Sequence, residues 1–166
     1  DFKHAALNAK EANFDGVEIH MANGYLLDQF LQDGSNQRTD EYGGSVANRM
    51  KFPLEVLDAV IGVWGKDQVG VRLSPYGTFN GVSDSDPMNL FGQVIEEFNK
   101  RGIVYINMIE PRATTAGGDD NVNDKAVCTS DLFRAKFNGM FISSGGYKPE
   151  TAEVALNDNK ADAIMF

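Results

Sequence analysis

The sequence predicts an α/β fold in which helices cover a parallel β-sheet. Short, mostly apolar strand-like segments alternate with amphipathic helical segments. Their order is one helix, then strand and helix four times, then a strand. Strands of a parallel sheet are largely apolar because helices cover them, and each connecting helix returns the chain to the same sheet edge.

The first elements are a helix and a short strand. Residues 2–13 place Phe2, Ala5 and Ala9 at helical spacing, and "DGVEI" at 15–19 is predicted as the first strand.

A long helix is predicted over residues 48–64, because apolar side chains recur there at spacings of three and four. These are Met50, Leu54, Leu57, Ile61 and Trp64. Gly65 is predicted to end this helix, and "VGVRLS" at 69–74 is predicted as the second strand.

Asp86 followed by Pro87 predicts an N-cap and a first-turn proline, and Gly102 is predicted to end the helix that follows. The segment "IVYINMI" at 103–109 is predicted as the third strand. The remaining predicted elements are a helix at about 130–137, the strand "MFISS" at 140–144, a helix from Pro149 to about Leu156 and a strand at 161–166.

Two architectures fit this order, a (β/α)₈ barrel and an open doubly wound sheet. Five strands are too few to close a barrel of eight, so the barrel requires further chain. The sequence begins in a helical pattern and stops inside an apolar run, so we expect one domain over 1–166 that is truncated at both ends. Long loops are predicted at 29–47 and 110–129, at the edge where such folds keep their sites.

Composition excludes several functions. The 166 residues carry a formal net charge of -9, from 15 basic and 24 acidic residues, which argues against nucleic acid and anionic membranes as partners. No apolar run approaches the roughly 20 residues of a membrane span. The single Cys128 cannot form an internal disulfide, which favours a reducing, cytoplasmic location. The oligomeric state is left open.

A polar cluster follows the first strand, where "HMANGY" brings His20, Asn23 and Tyr25 together. His20 and Asn23 could both donate to one oxygen and stabilise negative charge on it, while Tyr25 could give up a proton. The alternative is structural: a histidine bonded to the backbone at a strand end and a tyrosine packed under a loop.

Arg72 lies in the second strand between apolar neighbours. A buried guanidinium needs an anionic or acceptor-rich partner. Glu18 on the neighbouring strand is one candidate, and a ligand ring that develops negative charge is the other.

The segment "SSGGYKPETAE" combines a strand end, a glycine pair and a helix start, and includes Ser144, Gly145 and Gly146. Free N–H groups in such a turn can bind phosphate, although most glycine pairs are simple turns. No metal site is predicted, because Cys128 has no companion His/Cys cluster and "GGDDN" at 117–121 lacks the spacing of a calcium loop.

Three segments in the right order resemble the old yellow enzyme family of flavin-dependent ene-reductases. They are "DGVEIHMANGYLLDQFLQDGSNQRTDEYGGSVANR", "VGVRLSPYGTF" and "FISSGGY". The resemblance covers essentially the whole chain and is strongest to bacterial alkene reductases of the NADPH dehydrogenase type. It implies an FMN-binding (β/α)₈ barrel, of which this chain would be the part from the helix before barrel strand four to barrel strand eight.

The resemblance also implies roles for individual residues. His20 and Asn23 match the pair that binds the substrate's carbonyl oxygen, and Tyr25 matches the proton donor. Arg72 matches the arginine beside the flavin pyrimidine. Gly145 matches a glycine whose backbone binds the FMN phosphate, with Ser144 and Gly146 as neighbours in that site.

The implied reaction transfers hydride from NADPH, or NADH, through FMN to the C=C bond of a small activated alkene such as an α,β-unsaturated carbonyl or nitro compound. Met21 occupies a position that is usually small in the family, so we expect it to crowd the substrate pocket. Other flavin contacts of the family are absent from this sequence, so we expect the excerpt alone to be inactive. The alternatives are a barrel reductase of the dienoyl-CoA type, which needs a downstream cysteine cluster for iron and sulfur, and an inactive fragment or scaffold module.

Overall fold

A computed structural model describes residues 1–113, 122–123 and 125–166. It contains a five-stranded sheet whose strands are all parallel and follow the chain order from β1 to β5. The strands are β1 Val17–Met21, β2 Val69–Leu73, β3 Tyr105–Ile109, β4 Met140–Ser144 and β5 Ala163–Met165. A doubly wound sheet reverses its strand order, whereas a barrel wall does not, so the order selects the barrel.

The helices are α1 Phe2–Glu11, α2 Leu26–Leu31, α3 Val46–Trp64, α4 Pro87–Arg101, α5 Thr129–Phe133 and α6 Pro149–Asn157. The predicted ends of the fourth helix are confirmed, because the Asp86 side chain accepts a hydrogen bond from the Asn89 N–H at 3.2 Å and Gly102 is left-handed. Gly65 likewise follows the last residue of α3.

Three predictions from the sequence need correction. The first strand runs to Met21, so His20 lies inside β1 and not at its end. The predicted loop at 29–47 overlaps α2, a six-residue helix. The helix predicted at 130–137 is α5 followed by a 3₁₀ turn at Arg134–Lys136. Of the predicted loop at 110–129, residues 114–121 and 124, and with them "GGDDN", lie outside the described residues.

The two faces of the sheet differ sharply. One alternating row packs under the helices in the hydrophobic core and includes Ile19, Met21, Val71, Leu73, Ile106 and Phe141. The other row is polar where His20 pairs with Arg72 and Arg72 with Asn107. Burial of large side chains in the core stabilises the fold by about 1.5–3 kcal/mol each.

Met21 is 0% exposed and belongs to this core. Successive strand residues point to opposite faces, so Met21 faces away from His20. The expectation that Met21 crowds the substrate pocket is therefore wrong.

Within the described residues, no helix is both long enough and apolar enough to cross a membrane.

Candidate active site

A tight turn after β1 positions the predicted site residues. Asn23 and Gly24 both adopt left-handed backbone conformations, with φ of 56° and 67°. A Cβ on Gly24 would lie 2.4 Å from the Phe79 carbonyl oxygen, so only glycine fits there. The turn folds the chain back so that Tyr25 is the N-cap of α2, and the His20 and Tyr25 rings lie 5.2 Å apart between centroids at an interplanar angle of 52°.

His20 and Tyr25 are available to a ligand. Both are exposed, Tyr25 to 52%, and neither side chain has a hydrogen-bond partner among the described residues. The structural alternative required a backbone-bonded histidine and a tyrosine packed under a loop, and this geometry does not support it. Partial burial, and then the nearby charge of Arg72, lower the pKa of His20, whereas Glu18 acts in the opposite direction.

The backbone of Asn23 is fixed on both sides. Its N–H donates to Ser74 Oγ at 2.7 Å, and its carbonyl accepts from Asn80 Nδ2 at 2.9 Å. Its side-chain amide has no hydrogen-bond partner in the described part of the chain. Asn23 is 8% exposed and lines a cavity of about 170 Å³ with Ser74, Tyr76, Ile109 and Glu110 among others.

That cavity is not lined by His20 or Tyr25. The structure therefore brings His20 and Tyr25 into contact and places Asn23 beside them on a neighbouring cavity. Donation by His20 and Asn23 to one shared oxygen stays a prediction.

Asp28, in the first turn of α2, was not identified from the sequence. Its Oδ2 accepts from the Gly24 N–H at 2.9 Å and from Ser74 Oγ at 3.3 Å, and its Oδ1 accepts from Gln32 Nε2 at 2.8 Å. Burial raises the pKa of Asp28 to about 6, against the opposing effect of these hydrogen bonds. An acidic residue three positions after a helix N-cap commonly reaches back to a backbone N–H, which was the available signal.

Arg72 lies on the polar face of the sheet, and its guanidinium donors are poorly satisfied by the described residues. Its Nη1 lies 3.5 Å from Met165 Sδ, a weak acceptor, and its buried Nε has no partner among the described residues. Glu18 instead accepts from Asn107 Nδ2 at 3.0 Å. A buried donor without a partner costs about 1–3 kcal/mol, so this guanidinium fits a site for an acceptor-rich ligand such as a flavin ring.

The turn after β4 has the features of an anion site. Gly145 and Gly146 have φ of 101° and 65°, and neither backbone N–H donates a hydrogen bond within the described residues. Ser144 is held in place because its carbonyl accepts from the Glu110 N–H at 2.8 Å and its hydroxyl donates to Asn107 Oδ1 at 3.2 Å. Consecutive free N–H groups in a glycine turn form a concave site for phosphate oxygens.

Glu110, directly after β3, supports this turn from behind. Its carboxylate is 1% exposed and accepts from the Thr129 N–H at 2.7 Å, the Ser130 N–H at 3.0 Å and Ser143 Oγ at 3.1 Å. The carboxylate therefore ties the start of α5 to the end of β4.

Residues 1–166 match the model of the NADH:flavin oxidoreductase / NADH oxidase family. The chain belongs to this family. It is 48% identical over 168 residues to 12-oxophytodienoate reductase 2 of Arabidopsis thaliana, and 46% identical over 167 residues to 12-oxophytodienoate reductase 1 of Oryza sativa subsp. japonica. Each alignment covers 100% of this chain and 43% of the relative, so the chain spans less than half the length of these curated relatives.

Solved structures of this flavin oxidoreductase family agree with the fold. Morphinone reductase superposes with a TM-score of 0.87 at 41% identity, over 99% of this chain and 43% of that one. The old yellow enzyme homologue from Zymomonas mobilis gives 0.89 at 38% identity, over 99% and 45%. The predicted old yellow enzyme family and the partial barrel are confirmed, whereas the finer resemblance to bacterial alkene reductases stays a prediction.

Proposed function

We propose that this chain is the part of an FMN-dependent ene-reductase barrel that binds the substrate oxygen, donates the proton and holds part of the FMN. The observation that carries the proposal is Arg72, whose buried Nε lacks a partner among the described residues and which lies on the polar sheet face beside His20. An arginine in that position stabilises an anionic, acceptor-rich ring, and reduced flavin is such a ring. Family membership supports the same cofactor.

Two separate groups of residues would bind the two ends of the cofactor. Arg72 would bind the flavin pyrimidine, and the N–H groups of Gly145 and Gly146, which donate no hydrogen bond within the described residues, would bind the FMN phosphate, with Ser144 fixing the turn. When bound and reduced by NADPH or NADH, FMN supplies a hydride to the β-carbon of an activated alkene.

His20, Asn23 and Tyr25 would act on the substrate of that transfer. His20 and Asn23 would donate hydrogen bonds to the carbonyl or nitro oxygen, on which negative charge develops. The lowered pKa of His20 favours a neutral imidazole, which can donate a hydrogen bond without competing as an acid. Tyr25, exposed beside His20, would protonate the α-carbon.

The substrate class follows from the same site. Two oxygen-directed donors and one separate acid suit a small α,β-unsaturated carbonyl or nitro compound. Relatives named 12-oxophytodienoate reductase and morphinone reductase support this class. We also propose a cytoplasmic location, which the lone Cys128 supports.

The test uses the FMN-loaded full-length enzyme that contains this chain. In Tyr25→Phe, we expect NADPH to reduce the flavin at close to the wild-type rate, while the reoxidation of reduced flavin by cyclohexenone slows at least 100-fold. Stopped-flow absorbance of the flavin separates the two half-reactions. Tyr42→Phe is the matched control, because it removes a hydroxyl that contacts only Glu55 among the described residues.

Equal slowing of both half-reactions in Tyr25→Phe would contradict the proton-donor assignment. A folded wild-type enzyme that cannot be reconstituted with FMN would contradict the proposed function as a whole.

A further inference from the structure

Asp28 is a buried carboxylate that the proposed chemistry does not use. It is 0% exposed, and no lysine or arginine of the described residues forms an ion pair with it. Burying a carboxylate that has no cationic partner costs free energy, which hydrogen-bond donors offset. Three donors surround Asp28. They are the Gly24 N–H, the Ser74 hydroxyl and the Gln32 amide.

The donors connect Asp28 to the turn that presents Asn23. The Gly24 N–H reaches the carboxylate directly at 2.9 Å. The Ser74 hydroxyl donates a hydrogen bond to the carboxylate at 3.3 Å. Its lone pairs are therefore directed towards the Asn23 N–H, from which Ser74 Oγ accepts a hydrogen bond at 2.7 Å. One carboxylate thus orients two consecutive peptide groups, one directly and one through a serine on β2's carboxyl end.

Asn23, which lies between these two peptide groups, has an unfavourable backbone conformation. Asn23 has φ of 56°, a left-handed conformation that costs a residue with a side chain about 1 kcal/mol. A turn held against such a preference relaxes when its hydrogen bonds are removed. Any rotation of the Asn23 backbone also displaces its side-chain amide, the predicted donor to the substrate oxygen.

We propose that Asp28 is a positioning residue that, through the Gly24 N–H and the Ser74 hydroxyl, orients the Asn23 amide towards the substrate oxygen. The proposal rests on the proposed function for the identity of that oxygen. The mechanical part, that Asp28 holds the turn, is independent of it.

The experiment compares Asp28→Ala, Asp28→Asn and Ser74→Ala in the FMN-loaded full-length enzyme. Asp28→Asn is the conservative variant: its oxygen can take the place of Oδ2, and its NH₂ group meets Gln32, whose amide can rotate to present its oxygen. The rate of amide hydrogen exchange in a peptide covering residues 22–28 measures how firmly the turn is held. The dissociation constant of cyclohexanone, measured from the flavin absorbance, reports the carbonyl site, and the dissociation constant of FMN is the control.

For Asp28→Ala we expect at least tenfold faster exchange in the 22–28 peptide and at least tenfold weaker cyclohexanone binding. FMN binding should change less than threefold, and Asp28→Asn should recover both properties to within threefold of wild type. Faster exchange throughout the chain together with loss of FMN would indicate a merely structural role and overturn the proposal. Wild-type exchange and binding in Asp28→Ala would do the same.

If Asp28→Ala does not fold, Ser74→Ala decides, because it keeps the Asp28 carboxylate and its bond from the Gly24 N–H and removes the hydroxyl that links the carboxylate to the Asn23 N–H. We then expect faster exchange at 22–28 and weaker cyclohexanone binding, and no change in either would overturn the proposal. A wild-type enzyme that binds neither FMN nor cyclohexanone would instead refute the proposed function, and the exchange measurements would still test how Asp28 holds the turn.

Discussion

The carboxylate of Glu110 should contribute more to stability than any exposed acidic residue of the chain. Glu110→Ala leaves the Thr129 and Ser130 N–H groups without an acceptor in the first turn of α5, where both residues are buried. Each buried donor left unpaired costs about 1–3 kcal/mol. Partial replacement by water lowers the sum, so we expect a loss of about 2–5 kcal/mol.

Glu110→Gln should cost less, because one oxygen remains. That oxygen can keep the hydrogen bonds from Ser130 and Ser143. The new NH₂ group takes the place of Oε2, which in the wild type accepts a hydrogen bond from the Thr129 N–H at 2.7 Å. One donor facing another gives an expected loss of about 1–3 kcal/mol.

Thermal unfolding of the FMN-loaded full-length enzyme measures this order. At about 2–4 °C per kcal/mol, Glu110→Gln should lower Tm by about 2–12 °C and Glu110→Ala by more. Glu96→Gln on the exposed face of α4 is the control, and should leave Tm within about 1 °C. The reasoning is refuted if all three variants unfold within about 1 °C of one another.

Three further predictions concern β1, the turn that follows it and the start of α2. Gly24→Ala, which forces a Cβ to 2.4 Å from the Phe79 carbonyl oxygen at a φ of 67°, should destabilise the enzyme by at least about 2 kcal/mol in urea unfolding, and wild-type stability would contradict this. The His20 ring proton followed by NMR should titrate below the ordinary pKa of 6.5, because burial and Arg72 both disfavour its charged form. Because the pKa of Asp28 is raised from 3.8 to about 6, native protein binds the extra proton between these values and loses stability as pH rises through them. Asp28→Asn removes this loss, so its stability relative to wild type should improve by about 2.4 kcal/mol from pH 4 to pH 8, and a constant difference would refute the shift.

Local patterns in the sequence were sufficient for most of the fold. The long helix α3 and the strand β2 are recognisable because their apolar periodicity follows from burial on one face. The short helix α2 was missed because six residues carry little periodic signal, and its start is stabilised by Asp28 through contacts that only the folded turn creates. His20 was placed at a strand end because a polar residue interrupts an apolar run, whereas it actually faces the polar side of β1.

The candidate site was predictable as residue types but not as a network. His20, Asn23, Tyr25, Arg72 and Gly145 were all named from the sequence. The supporting contacts were not, because they join residues far apart in the chain: Glu110 meets Thr129 and Ser143, and Ser74 meets Asn23. Such pairings depend on which strands become neighbours, and that information is absent from any local pattern.

The polar face of the sheet explains how two distant parts of the site can keep a fixed separation. Asn107 on β3 donates to Glu18 on β1 at 3.0 Å and accepts from Ser144 on β4 at 3.2 Å, so one amide spans the sheet from the His20 strand to the glycine turn. Strands are spaced about 4.8 Å apart, which sets β1 and β4 about 14 Å apart along the sheet. Strand register would therefore set the separation between the proposed ring-binding and phosphate-binding parts. A substitution at Asn107 should disturb both parts together, whereas a substitution in either loop should disturb only one.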